Sequence, residues 1–136
     1  KLSNDFRSNR GSLPWPVSNA KIMQDFGGES VGRNVNVEHI SVKIQTSSGA
    51  AVKAVFAGEV SSVLTMYGQR IIMIKHGEYY TVYNNMGSVS VSKGQKVSTG
   101  QTIGTADVDS DTGVPMVDFS VYQGSTPLNP MSWLAR

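Results

Sequence analysis

The chain has 136 residues, 39% hydrophobic and 16% charged, with a formal net charge of +2, enough for about one domain with a substantial core. Its basic residues, among them Lys43, Lys53, Arg70, Lys75, Lys93 and Lys96, are scattered, which leaves no stripe for nucleic acid. It has no cysteine, so disulfides, thiolate zinc sites and thiol catalysis are excluded.

A pI near 9.0 is mildly basic and compatible with a polyanionic cell wall. The sequence shows no signal peptide, lipidation motif or run of 18 apolar residues, so no membrane insertion is expected of it. It opens on Lys1 rather than methionine and is expected to be a mature or trimmed piece.

Residues 1–12 open with the polar stretch KLSNDFRSNR and read as a lead-in, the end of a removed helix. In GSLPWPV, Pro14 and Pro16 force extended backbone around Trp15. KIMQDFGGESVGRN predicts a short apolar segment, a Gly-Gly turn and a polar loop. VNVEHISVKIQT alternates at period two with a one-residue slip at Glu38-His39, which predicts a strand with a bulge.

AAVKAVFAGEVSSVLTM holds two strands' worth of apolar residues hinged at Gly58. Arg70–Lys75 and Tyr79–Asn84 flank His76-Gly77-Glu78 and predict a hairpin. The near-repeat KGQKVSTGQTIG precedes a last strand in VPMVDFSVYQ and a proline-punctuated tail, PLNPMSWLAR. No segment sustains helical periodicity over three turns, so the expected fold is all-β.

The candidates for chemistry are few. His39 and His76 are the two histidines, and a lone strand or turn histidine is most often structural. Asp107, Asp109 and Asp111 alternate as in a calcium loop, but the sharp-turn glycine falls one place late and no helix flanks the loop, so a solvated acidic loop is expected. KGQKVSTGQTIG also resembles lipoyl- or biotin-carrier hairpins. It lacks their modifiable-lysine setting, so no covalent cofactor is expected.

GAAVKAVFAGEV, YGQRIIMIKHGEYYTVYNNM, VSKGQKVSTGQTIG and LNPMSWL together resemble the lysostaphin-type, or LytM, zinc endopeptidases that cut peptidoglycan cross-bridges. The resemblance covers residues 13–136, read as one degenerate LytM-like domain. It implies a twisted antiparallel sheet, built on a duplicated hybrid motif, with a groove across one face. The family's H-x-G-x-D ligand pair falls on HISVK, where His39 is kept, Ser41 replaces glycine and Lys43 replaces aspartate. The histidine of Y-x-H-L falls on Asn85. H-L-H-F falls on MVDF, so Met116 takes the place of the catalytic histidine and Asp118 that of the liganding one.

Zinc of this type needs three protein ligands and an activated water. An ammonium at position 43 cannot supply one, and Asn85 and Met116 cannot relay protons. The resemblance therefore implies no metal, no cofactor and no catalysis. It also implies that His39, Lys43 and Asp118 converge, with Lys43 and Asp118 forming a salt bridge, direct or through a water.

Degenerate members of the family act as murein hydrolase activators of the EnvC type. On that pattern the chain is expected to be a non-catalytic activator of an N-acetylmuramoyl-L-alanine amidase, in a bacterial periplasm or envelope and connected with cell division. Its upstream coiled coil would have been removed. The partner would meet the old groove, with Arg70 and Tyr83 as candidate contacts. The alternative is a non-catalytic peptidoglycan-binding module, and a residual zinc endopeptidase ranks a distant third.

Overall fold

The structure, a computed structural model, describes residues 2–32 and 35–135. Lys1, at the start of the expected lead-in, and Arg33 and Asn34, in the expected polar loop, lie outside the described residues.

Leu2–Ser8 forms a short helix, α1. The strands follow as β1 (Lys21–Gln24), β2 (Gly27–Gly32), β3 (Val35–His39), β4 (Val42–Gln45), β5 (Ala51–Lys53), β6 (Gly58–Met66), β7 (Gln69–His76), β8 (Tyr79–Val89), β9 (Lys96–Val97), β10 (Thr102–Val108), β11 (Pro115–Gln123) and β12 (Thr126–Leu128). Ten of them form one antiparallel sheet with the path β1-β4-β11-β10-β8-β7-β6-β9. β12 joins beside β11, β5 beside β10, and β2 and β3 form a separate pair. The all-β reading holds.

Two local expectations change. The Gly-Gly pair opens β2 instead of making a turn. The phase slip at Glu38-His39 is a break between strands and not a bulge: β3 ends at His39, and β4 starts at Val42 in the other sheet. A break and a bulge both shift the alternation by one residue, so periodicity cannot separate them.

β8 is long enough to serve two partners on one edge. Its first half, Tyr79–Asn84, pairs with β11, and Met86–Val89 pairs with β10. Its other edge pairs with β7 along the whole hairpin. Between sheet and tail lies a continuous core including Val42, Ile44, Ile72, Ile74, Tyr83, Phe119 and Val121, all fully buried.

The near-repeat makes two matched turns. In each, a glutamine side chain accepts from a serine amide three residues back, Gln95 from Ser92 and Gln101 from Ser98. In each, a glycine amide donates to the facing chain, Gly94 to Val60 and Gly100 to Ala54. Both glycines lie at positive φ, 91° and 82°, which the turn requires and which other residues rarely adopt.

α1 belongs to the core. Its Phe6 is fully buried and stacks on His76 at 4.7 Å and Trp133 at 4.9 Å, with Tyr79 at 5.0 Å and Phe56 at 5.6 Å. Ser3 accepts from the Glu78 amide, and Arg7 reaches the Tyr79 hydroxyl and Glu78. At Gly77 a Cβ would collide with Ser3, so that turn admits the helix only as glycine. The tail closes the same end: Gly11 and Leu13 donate to Trp133, and Ala135 donates to Leu13.

Candidate functional site

A pleated sheet sends alternate residues to opposite faces, and directly paired residues to the same face. Following the register gives one row across the sheet: Lys43 opposite Asp118, Asp118 opposite Asn84, Asn84 opposite Ile71 and Ile71 opposite Leu64. The neighbouring row runs Ser120, Val82, Met73, Ser62. These rows floor a groove with two connected parts. One is an apolar trough of roughly 690 Å³ that includes Leu64, Met66, Ile71, Met73 and Tyr80. The other is a smaller pocket of roughly 230 Å³ that includes Ser41, Asn84, Asp118 and Ser120. Val82 and Tyr122 line both.

Asp118 is the charged centre of the smaller pocket. Burial pushes its carboxyl above the ordinary range; a hydrogen bond from Ser41 and the charge of Lys43 pull it back, Asp109 adds to the upward push, and His39 opposes it. Asp118 thus interacts with His39, Ser41 and Lys43. Among the described residues, Asp118 Oδ1 is buried without a hydrogen-bond partner. Burial, followed by the charge of Asp118, also raises the Tyr122 hydroxyl.

The expected Lys43–Asp118 bridge is not a direct contact. The two are cross-strand partners and interact through space, but the ion pair within 4 Å among the described residues is Arg7–Glu78 at 3.0 Å.

Asn85 and Met116 meet without forming a polar relay. β8 changes partners at Asn85, whose backbone lies at φ 70°. Its amide Nδ2 donates to the carbonyls of Asp107, on β10, at 3.1 Å and of Met116, on β11, at 2.9 Å. Asparagine tolerates this left-handed backbone better than most residues. Met116 is 3% exposed, a thioether sealed beneath the same seam.

Tyr83 is not a groove contact. It is fully buried on the opposite face, where its hydroxyl accepts from the Val55 amide at 3.0 Å and lies 3.0 Å from Thr81 Oγ1. The period-two pattern that puts Val82 and Asn84 in the groove puts Tyr83 in the core. Arg70 is exposed at the start of β7, donates to the Gly87 carbonyl and does not line the groove.

His76 is structural. Nδ1 lies 2.8 Å from the Ala57 carbonyl and Nε2 lies 2.8 Å from Thr81 Oγ1. A carbonyl only accepts, so the neutral ring carries its proton on Nδ1, and Nε2 accepts from Thr81. Burial lowers this histidine to about 4, against a smaller opposing effect of the Ala57 bond.

The acidic loop is also engaged internally. Asp109 is 8% exposed, and its Oδ2 accepts from both the Thr112 amide and the Thr112 hydroxyl at 3.0 Å. Asp107 caps the Val108 amide at 2.8 Å. Sequence reasoning missed Asn84, Ser120, Tyr122 and the apolar trough. Once Asp118 is placed, alternation along β11 and β8 gives the first three; the trough depends on which strands are neighbours.

Residues 37–130 match peptidase family M23. The chain belongs to that family. A lipoprotein NlpD/LppB homolog of Pseudomonas aeruginosa is 30% identical over 130 residues, covering 93% of this chain and 41% of that protein. An NlpD/LppB homolog of Buchnera aphidicola is 33% identical over 124 residues, covering 90% and 35%. The chain thus spans less than half the length of the curated relatives it matches. Among solved structures, a zinc-containing peptidase from Vibrio cholerae superposes with a TM-score of 0.78 at 26% identity, covering 93% of this chain and 41% of that one.

The M23 fold implies zinc, and the donor set can be tested against it. Asp118 and His39 offer a carboxylate and an imidazole, but Lys43 offers an ammonium. Two donors and a cation do not make the three-ligand set that catalytic zinc requires. Among the described residues, no group of three His, Cys, Asp or Glu side chains is placed to hold a metal. The residues do not fit the ion.

Proposed function

We propose that this M23 domain is a non-catalytic activator of an N-acetylmuramoyl-L-alanine amidase, with the groove as its docking surface. The carrying observation is at Asn85 and Met116, which fall where the family motifs have histidines. One side chain is spent on two backbone carbonyls and the other is a buried thioether. Neither moves protons near neutrality, so the groove keeps its shape without an acid-base pair. Lys43, at a further altered position, removes a metal ligand. The relative named as a lipoprotein supports a place in the bacterial envelope, on the periplasmic side.

The test is dye release from labelled sacculi by a purified amidase, with and without the domain. Stimulation of the amidase, with no release by the domain alone, is expected. Release by the domain alone would replace this reading with that of an endopeptidase. Retention on sacculi without any effect on the amidase would replace it with that of a wall-binding module.

A further inference from the structure

The smaller pocket has a chemistry of its own. Asp118 Oδ1 lies buried without a partner among the described residues, and a desolvated carboxylate oxygen in that state is costly until a donor reaches it. Ser41 already bonds the carboxyl, so the residual demand is directional and sits on one oxygen.

The charges around it are of both signs: Lys43 and His39 attract the carboxylate and Asp109 repels it. None of them bonds Oδ1, so that oxygen still lacks a donor among the described residues. Lys43 is not among the residues lining the pocket, whereas Asp118 is. The pocket wall itself thus presents the carboxylate, with Lys43 beside it on the neighbouring strand. Ile40, Val82 and Tyr122 line the approach, apolar surface suited to the methylene stem of a long cationic side chain.

Val82 and Tyr122 also line the larger trough, so whatever fills the pocket continues over apolar floor. Leu64 and Met66, on that floor, are 45% and 49% exposed. That surface favours a protein segment with apolar side chains over a glycan or a polar stem peptide.

We infer that the Asp118 pocket receives one lysine or arginine side chain of a docked protein segment, whose neighbouring apolar side chains lie along the trough. This rests on reading the groove as a docking surface. The positive head group meets Oδ1, a charge-assisted bond stronger than a neutral one, and takes a place in the groove next to Lys43 without needing it.

The test uses the 136-residue chain, 15N-labelled, titrated with n-butylguanidinium and with neutral n-butylurea of the same length. Guanidinium should shift the amides of Asn84, Asp118 and Ser120, and butylurea should leave them in place. Asp118→Asn, which keeps shape and removes charge, should weaken the guanidinium response about tenfold or more, with the rest of its spectrum showing the fold intact. Equal shifts from both probes, or an undiminished response in Asp118→Asn, would overturn the cation site. Stronger shifts from a soluble muropeptide with a free ammonium would overturn the protein segment as occupant. No amidase is present, so failure here is distinct from failure of the activation assay.

Discussion

Asn85 shows how one side chain settles a topological problem. Where β8 leaves β11 for β10, the Asn85 amide donates to one carbonyl on each of those strands, Asp107 and Met116. Asn85→Ala removes both donors and puts at positive φ a residue that tolerates it less well than asparagine, so it should cost about 2 kcal/mol or more. Asn85→Gly, which relieves the backbone but not the carbonyls, should cost less. Urea unfolding of the two variants measures the order, and equal losses would mean that the hydrogen bonds alone matter. Asp118 is the opposite case. Its carboxyl is raised, so the folded state favours the protonated form. The associated stability is present at low pH and lost as pH rises through the folded value. At neutral pH the ionised group is a burden, and Asp118→Asn should stabilise the domain by on the order of 1 kcal/mol, read as a higher melting temperature. A fall would show that the attractions of Lys43 and Ser41 outweigh desolvation.

Among the elements, α1 is the one that composition misrepresents. KLSNDFRSNR is polar save for Leu2 and Phe6, and one aromatic residue in a polar stretch carries no periodic signal. Yet Phe6 is central to the cluster of Phe56, His76, Tyr79 and Trp133. Phe6→Ala should cost about 3–5 kcal/mol, as for a large core aromatic. Denaturant unfolding would measure it, and a loss under about 1 kcal/mol would return the segment to the status of a lead-in. The near-repeat KGQKVSTGQTIG announced a repeated hairpin geometry, and the structure adds the serine–glutamine bond that each of its turns makes. The β3–β4 break was not legible, because sequence reports a shift of phase and not the sheet in which a strand finds its partner.

Across the whole molecule, the motif segments made the sheet, the hairpin and the tail readable. Placing Lys43, Asn84 and Asp118 in one row required the register of three strands that are not neighbours in the chain. The buried polar line from Ala57 through His76 and Thr81 to Tyr83 and Val55 sets a pH response. His76 sits at about 4 in the fold against an ordinary 6.5. The unfolded chain therefore takes up its proton first. The stability it supports is complete above about 6.5 and is lost as pH falls from there to about 4, by roughly 3 kcal/mol in all. Urea midpoints at pH 7, 6 and 5 should fall in that order. A flat profile over that range would mean that the ring is less sealed than its contacts show.

The grip of α1 on the Gly77-Glu78 turn has a mechanical side. Ser3, Phe6 and Arg7 hold that turn, and the strand that leaves it, β8, contributes Tyr80, Val82 and Asn84 to the groove floor. The helix is thus a handle on a stiff lever. A tug along its axis is borne first by the turn from which β8 starts.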